Sequence, residues 1–422
     1  MPYNKKLTIG LFGFGTVGEG IYKVLQQTPT LQASIKKIAI KHAHKVRQAP
    51  AKLFTTNPND LLNDPDINVI VELIDDADAS FAIVSTALKN GKAVVSANKK
   101  MIAHHLPTLL ELQAQYQVPF LYEAAVCGSI PIIRNLEEYY DNDLLNSVTG
   151  IVNGSTNFIL TQMIEGGLSY ETALLQAQEL GFAESNPALD VEGKDAVNKL
   201  SIILHHAYGV AVHPDQILHK GITRLHPQDT RYATEKGYQI KLLAKAKRIG
   251  EQELKAFVLP SFVDANSQFY NVKNEYNGVL IGSKLADEQF LYGKGAGRYP
   301  TSSAVLSDIA ALRYDYRYEH KKTYGGTTYA LNEHSQVRIY VSYNRNEIVE
   351  TNDFVAIEET YQSHERSYLV GIIELDKLKN AYWLEQEGVS VVSLDEIKLS
   401  QTALSPTLNN TALAPTVLAW KT

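Results

Sequence analysis

The first third of this 422-residue chain predicts a doubly wound parallel α/β fold. Two observations carry that prediction. Short apolar runs alternate strictly with helix-period segments, which suits a parallel sheet covered on both faces. A glycine-rich turn, Gly13-Phe14-Gly15-Thr16-Val17-Gly18, stands directly between the first strand candidate and the first helix candidate. A mixed α+β unit is predicted after it, and then a small C-terminal α+β unit.

Leu7 to Phe12 reads as the first strand, and Val17, Ile21, Val24 and Leu25 give the next helix one apolar face. Ile35 to Ile40 is the second strand, and the β-branched run Val69 to Leu73 the third. Asp78 is placed to cap a helix whose Phe81, Val84 and Leu88 share a face, and Gly91 to end it. Ala93 to Ser96 is the next buried strand, with a helix from about Lys100 to Tyr116. Pro131 has the place of a first-turn proline in a helix running to Tyr139. A strand over Leu144–Val152 follows, then helices near Asn157–Glu165, Ser169–Leu180 and Gly193–Tyr208. Strand-like runs dominate from Glu253 to Leu291, and a helix at Pro300–Arg313 is predicted to return to the first domain.

Further on, Val337, Ile339 and Val341 alternate with Arg338 and Ser342, as in a half-buried strand. Tyr368 to Leu375, a helix capped by Asp376, and Val389 to Val392 make a strand–helix–strand unit. The predicted division is 1–130 (with 300–316 returning to it), 131–299, 330–400, and a loosely held Thr-, Pro- and Asn-rich tail at 401–422.

Composition narrows the function classes. At 45% apolar and 20% charged residues the chain is globular in type. Its 40 basic and 46 acidic side chains leave a net charge of −6, so no broad cationic field for nucleic acid or anionic lipid is expected. No apolar run approaches the roughly 18 residues of a membrane span. The single cysteine, Cys127, cannot form an internal disulfide, and the N-terminus lacks a secretory pattern. A cytoplasmic location is the expectation.

The glycine turn fits a dinucleotide loop. Its first glycine permits the tight turn, the second lets backbone approach a pyrophosphate, and the third allows close helix–strand packing. The helix N-terminus adds NH donors and the positive dipole end. After the second strand an NAD site would usually place an acid for the ribose hydroxyls. Here the segment is Lys41-His42-Ala43-His44-Lys45-Val46-Arg47, whose cations suit a 2′-phosphate, so NADP is favoured over NAD. A solvated basic loop would read the same way.

Ser96-Ala97-Asn98-Lys99 stands at the carboxyl end of a parallel strand, where ligands sit in open α/β sheets. The segment Gly181-Phe182-Ala183-Glu184 through Asp190-Val191-Glu192-Gly193-Lys194-Asp195 is an acidic loop running into a helix. Asp195 and Lys199 lie four apart on that helix and share a face. Glu184, Asp190, Glu192 and Asp195 could hold an ammonium group, and Lys199 could move a proton. Spacing alone favours an ordinary i,i+4 salt bridge. Cys127, in Glu123-Ala124-Ala125-Val126-Cys127-Gly128-Ser129-Ile130-Pro131, admits a thiolate mechanism on an aldehyde, although packing is the favoured reading of a lone small cysteine. Glu123 and the turn carbonyls offer oxygen ligands to a hard cation.

Taken together, these segments resemble homoserine dehydrogenase of the monofunctional type. The resemblance runs through Gly13–Gly18, Val94–Lys99, Glu123–Ile133, Gly150-Ile151-Val152-Asn153-Gly154-Ser155-Thr156-Asn157, Gly181–Leu200, and Gly295-Ala296-Gly297 with Pro300-Thr301. It covers roughly the first 315 residues in the family's order. It implies an N-terminal Rossmann domain, an α+β substrate and dimerisation domain, and reversible NAD(P)-dependent oxidation of L-homoserine to L-aspartate 4-semialdehyde. That reaction belongs to threonine and methionine biosynthesis.

Residue by residue, the resemblance implies that Lys199 is the general acid/base and that Lys99 lies between nicotinamide and substrate. Glu184 and Asp195 would bind the amino end of the substrate, with Asp190 shaping the same site. Phe14, Gly15, Thr16 and Val17 would contact the cofactor, with Gly181, Glu184 and Gly295 closing around it and Lys41 and Arg47 offered to its phosphate. Glu123, Val126, Gly128 and Ile130 match a structural sodium site. A homodimer is implied, and no aspartate kinase segment is expected ahead of the glycine loop.

Two features depart from the family pattern. Asp75-Asp76 stands where a glycine pair is common, placing two carboxylates near the cofactor. The C-terminal unit matches only half of an ACT-type regulatory fold, which leaves inhibition by threonine as a hypothesis. The alternatives to the dehydrogenase are a Cys127-dependent aldehyde dehydrogenase and an NADPH-binding regulatory protein with a decayed site.

Overall fold

The computed structural model describes residues 5–142, 144–325 and 327–397. The tail predicted from Gln401 lies outside the described residues. The N-terminal part alternates β1 (Leu7–Phe12), α1 (Thr16–Gln27), β2 (Ala33–Ala39), β3 (Phe54–Thr55), α2 (Asn59–Leu62), β4 (Val69–Glu72), α3 (Ala77–Lys89), β5 (Ala93–Ser96), α4 (Lys99–Tyr116) and β6 (Phe120–Leu121). The strands form one parallel sheet in the order β3-β2-β1-β4-β5-β6. The order reverses at β1, so the crevice beyond the carboxyl ends of β1 and β4 is the ligand position of such a sheet. Ile9, Leu11, Ile70, Val71, Val94 and Val95 are fully buried, as helices on both faces require.

The middle part contains α5 (Ile132–Arg134), continued by one π turn over Asn135–Tyr139, then β7 (Leu145–Ile151), α6 (Gly154–Ile164), α7 (Tyr170–Glu179), α8 (Ala188–Val191) and α9 (Lys194–Tyr208). It continues with β8 (Leu218–His219), α10 (Pro227–Lys236), β9 (Gln239–Arg248), β10 (Glu253–Val263), β11 (Tyr276–Ser283), β12 (Asp287–Lys294) and α11 (Arg298–Ala311). Helix α11 packs against α1: Ser302 Oγ reaches Val17 O of α1 at 3.2 Å. A Cβ on Gly20 would stand only 2.5 Å from that hydroxyl, so glycine is what lets the two helices meet.

The last part holds α12 (Lys321–Tyr324), β13 (Ala330–Leu331), β14 (Gln336–Asn344), β15 (Phe354–Tyr361), β16 (Arg366–Glu374), α13 (Leu375–Asn380) and β17 (Val389–Ser393). Its strands run β17-β14-β16-β15, all antiparallel, which is the order of a split βαβ sheet. The first crossover helix of that pattern is replaced by a 3₁₀ turn at Thr351–Asp353. Ser261 of β10 pairs with Ser393 of β17, so both units share one 11-stranded sheet. They also share a core, in which Phe257 and Leu259 pack with Ile339, Val341 and Trp383.

Three local expectations are corrected. Asp76, not Asp78, caps α3: its carboxylate accepts from Ala79 N at 3.0 Å, whereas Asp78 lies inside the first turn. Asp376 is likewise inside the first turn of α13; Glu374 occupies the cap position without a side-chain bond. Ser342 does not face solvent. It is fully buried because β14 is central, and its hydroxyl bonds Asp229 of α10 at 2.5 Å and Arg366 of β16 at 3.0 Å.

Candidate active site

The glycine turn has the geometry its three positions require. Gly13 has φ +93°, and a Cβ there would lie 2.7 Å from Leu73 O. A Cβ on Gly18 would lie 2.5 Å from Gly13 O, so helix and strand meet only because the side chain is missing. Gly15 faces open space, with nothing within 4 Å. This is where a pyrophosphate would approach, beside the N-terminus of α1 that begins at Thr16 and Val17.

A cavity of ≈ 600 Å³ opens at this edge, lined in part by Phe14, Gly15, Lys41, Arg47 and Asp75. Phe14 is braced edge-on by Tyr22 and Phe54, at centroid distances of 5.8 and 5.2 Å. The Arg47 guanidinium bonds back to Lys45 O and His42 O, both at 2.7 Å, and so ties the basic loop together.

The two acids at 75 and 76 differ in one respect. Both are exposed and line the cavity, but Asp76 also caps α3 through its carboxylate. The turn before them is pinned by buried Glu72, whose carboxylate accepts from Ile74 N and Ser96 Oγ, each at 2.7 Å. Burial pushes the Glu72 carboxyl up, partly offset by Ser80, Ser96 and Ile74.

The lysine–carboxylate set lies between the two sheets. Lys199 is buried on α9 and donates to Asp195 Oδ2 at 2.6 Å and to Val152 O at 2.7 Å. Asp195 Oδ1 faces Lys99 Nζ at 3.2 Å, at the start of α4. Burial opposes the charge on Asp195, but Lys199 and Lys99 outweigh it and hold the carboxyl well below its ordinary range. Asp195 in turn raises the Lys99 ammonium, whose side chain stays 43% exposed and therefore reachable. Asp190 is shifted the other way, up, by burial and then by its neighbour Asp195.

Sequence pattern alone does not single out Asn153, yet it organises this set. It caps α6 by accepting from Thr156 N at 2.9 Å. Its amide nitrogen donates to Asp190 Oδ1 at 2.7 Å and to Asp195 Oδ2 at 2.8 Å. An asparagine before Gly-Ser-Thr at a helix start is the available sequence signal for the cap. Nothing local points to the acids 37 and 42 residues away.

The other candidates occupy varied surroundings. Glu184 is exposed on the turn after Gly181 (φ +75°), and its carboxylate has no hydrogen-bond or ion-pair partner among the described residues. Gly295 is pressed on by Asn277, with only 1.9 Å left for a Cβ. A Cβ on Gly128 would lie 2.3 Å from Gly295 O, so the 123–130 turn closes against the same strand end. Glu123 is buried, and its two carboxylate oxygens accept from Ile133 N and Arg134 N, each at 2.9 Å. Burial, then the Asp308 charge, pushes its carboxyl up to about 7. Cys127 is fully buried, and its thiol is pushed up to about 12, chiefly by burial. It is therefore protonated and inaccessible, which removes the basis for a thiolate mechanism.

Two family profiles match the chain. The homoserine dehydrogenase NAD-binding domain covers residues 13–123, and the homoserine dehydrogenase domain covers 131–310. The homoserine dehydrogenase of Bacillus subtilis is 35% identical over 322 residues, 74% of each chain. That of Helicobacter pylori is 37% identical over 316 residues, 73% of this chain and 74% of its own.

The chain belongs to the homoserine dehydrogenase family.

It is an NAD(P)-dependent oxidoreductase acting on a hydroxyl group, and the nicotinamide-binding part is the N-terminal sheet. The crystal structure of a homoserine dehydrogenase from Thiobacillus denitrificans aligns with a TM-score of 0.81 at 28% identity, over 93% of this chain and 99% of that one. The likeness to that homoserine dehydrogenase therefore extends into the C-terminal split-βαβ unit. Among the described residues no helix is long and apolar enough to cross a membrane.

Proposed function

We propose that Lys199 carries the proton in the reversible oxidation of L-homoserine to L-aspartate 4-semialdehyde. The carrying observation is its buried ammonium position, fixed by Asp195 and by the Val152 carbonyl and adjoining the carboxylates of the substrate region. In oxidation the Lys199 Nζ, as the neutral amine, takes the hydroxyl proton as the C–H electron pair leaves the carbinol carbon; in reduction the ammonium so formed returns that proton to the alkoxide. A bound nicotinamide supplies the hydride acceptor or donor. Asp195 and Asp190 hold the substrate ammonium with Glu184 from the exposed turn, and Lys99 bridges Asp195 to the cofactor side.

Phe14, Gly15, Thr16 and Val17 receive the cofactor, with Gly181 and Gly295 closing around it. Lys41 and the anchored Arg47 favour NADP over NAD, because no acid follows β2 to accept from a ribose 2′-hydroxyl. Glu123 with the carbonyls of Val126, Gly128 and Ile130 forms an all-oxygen donor set suited to sodium. A raised buried carboxyl is what such a set shows before a cation neutralises it. Residues 131–299 act as the substrate and homodimerisation domain, and the sheet from β14 to β17 is an ACT-like unit without its first helix.

The deciding experiment follows absorbance of reduced nicotinamide with L-homoserine and either NADP or NAD, beside Lys199→Ala. Homoserine-dependent reduction should fall by roughly 10²–10⁴-fold in the variant, with NADPH binding retained. Undiminished turnover in folded Lys199→Ala would remove Lys199 from the proton step.

A further inference from the structure

A second polar cluster lies behind the active site and takes no part in the proposed chemistry. His205 and His206 are on the far half of α9, Glu137 on the π turn after α5, and His320 just before α12. The three histidines are buried, and the Glu137 side chain is only 9% exposed. His206 Nδ1 lies 2.6 Å from Glu137 Oε1, and His320 Nδ1 lies 3.9 Å from the same oxygen. His205 Nε2 lies 2.9 Å from His320 Nδ1 and flanks the cluster. One ligand atom each from Glu137, His206 and His320 falls within a sphere of mutual distances below 4.8 Å.

We propose that Glu137, His206 and His320 form a binding site for a divalent transition ion of the zinc type.

The chemistry of the donor set is the first argument. Two imidazoles and one carboxylate suit Zn²⁺ and its neighbours, not a hard cation such as Mg²⁺ or Ca²⁺. Tetrahedral bonds of about 2.0–2.1 Å put ligand atoms about 3.3 Å apart, so the 2.6 and 3.9 Å separations need adjustments of well under an ångström.

Orientation is the second. His206 Nε2 meets Tyr122 OH at 2.9 Å, which fixes the ring and leaves Nδ1 facing the site. Such a bond on the remote nitrogen is the usual support of a metal-bound imidazole. His320 is held at φ +50°, in the left-handed region, with its backbone NH on Glu137 Oε2 at 3.2 Å. Among the described residues His205 Nδ1 and His320 Nε2 have no hydrogen-bond partner, so the pair does not behave as a completed hydrogen-bond network.

An entry route supplies an independent observation. A surface cavity of ≈ 290 Å³ is lined by Glu137 and by three further carboxylates, Glu138, Asp315 and Glu319, against Arg317 and Lys321. That excess of negative charge draws cations towards the buried ligands.

The test uses the full chain carrying His334→Ala, which removes the exposed triad of His334, Glu374 and Asp376 as a competing ligand set. After chelator treatment the protein is titrated with Zn²⁺ by calorimetry and with Co²⁺ by visible absorption. Expected are one Zn²⁺ per chain, an intense tetrahedral Co²⁺ spectrum, and a melting temperature raised by Zn²⁺. His320→Gln should weaken Zn²⁺ binding at least tenfold, and Tyr122→Phe by roughly 10–100-fold through loss of the outer hydrogen bond. If His320→Gln does not fold, the Co²⁺ spectrum of the His334→Ala protein decides, a weak octahedral spectrum refuting the site. No stoichiometric uptake, or uptake unchanged in folded His320→Gln, would overturn the proposal and leave a buried hydrogen-bond cluster.

Discussion

Asn153 donates a 2.8 Å hydrogen bond to the same Asp195 oxygen that receives the Lys199 ammonium. The side chain that starts α6 therefore fixes the carboxylate that positions the proposed proton carrier. The same amide reaches Asp190, so one residue holds two like charges in register.

Asn153→Asp separates these roles. Aspartate keeps the helix cap, but it withdraws two donors and adds a third negative charge beside Asp190 and Asp195. Hydrogen bonds to charged groups contribute about 1.5–3 kcal/mol, so KM for L-homoserine should rise roughly tenfold or more, and the melting temperature should fall as well because the new carboxylate is buried beside two others. Steady-state kinetics beside thermal denaturation checks this, and an unchanged KM would dismiss the positioning role.

Lys41→Ala tests the basic loop. Arg47 is bonded into the loop backbone, so removing it would disturb the loop itself, whereas Lys41 forms no such tie among the described residues. KM for NADP should rise about tenfold while KM for NAD stays within about twofold, as expected for a contact to the 2′-phosphate alone. Equal changes for both cofactors would contradict that contact.

Cys127→Ala is expected to be nearly silent in catalysis. The thiol is fully buried and protonated, so its loss should cost about 1 kcal/mol of stability through a small cavity and leave kcat within about twofold. Loss of turnover in folded protein would reinstate a thiol mechanism.

Glu123 gives a pH signature. Its folded pKa of about 7 exceeds the ordinary carboxylate value, so the unfolded chain loses this proton first as pH rises. Stability should therefore fall between about pH 4.5 and 7, and Glu123→Gln should flatten that slope. Asp308, pushed up to about 6 mainly by burial, acts in the same direction and keeps part of the slope. A sodium ion on Glu123 favours the carboxylate, so Na⁺ should raise the melting temperature more near pH 8 than near pH 5. Equal melting curves in Na⁺ and K⁺ at both values would speak against the ion.

Much of the site is legible in the amino-acid sequence, because its signals are local. The Gly13–Gly18 turn follows from strand, glycine spacing and helix start within a dozen residues, and Gly15 does face open space. The Asp195–Lys199 pair follows from four-residue spacing on one helix. Spacing does not show that this pair is buried and joined to Lys99, since that depends on α4 packing against α9.

The C-terminal unit shows the same limit. Its strand–helix–strand end is legible from period and apolar runs. Its four-strand order, and its fusion to the middle sheet through Ser261 and Ser393, are not. Alternation makes Ser342 a solvent-facing candidate because it reports a strand's two faces, not which of them another element covers.

The sequence by itself determined the strand–helix alternation of the first third, the dinucleotide turn, the lysine–carboxylate helix and the family, but not α10, β9 or β15. Tertiary structure decided which distant groups meet: Asn153 with Asp190 and Asp195, Lys99 with Asp195, and Glu137 with His206 and His320. The division has a physical origin. Caps, turns and periodicity are fixed by steric and hydrogen-bond rules acting over a few residues, whereas these pairings arise only when burial of apolar faces brings whole helices and sheets together.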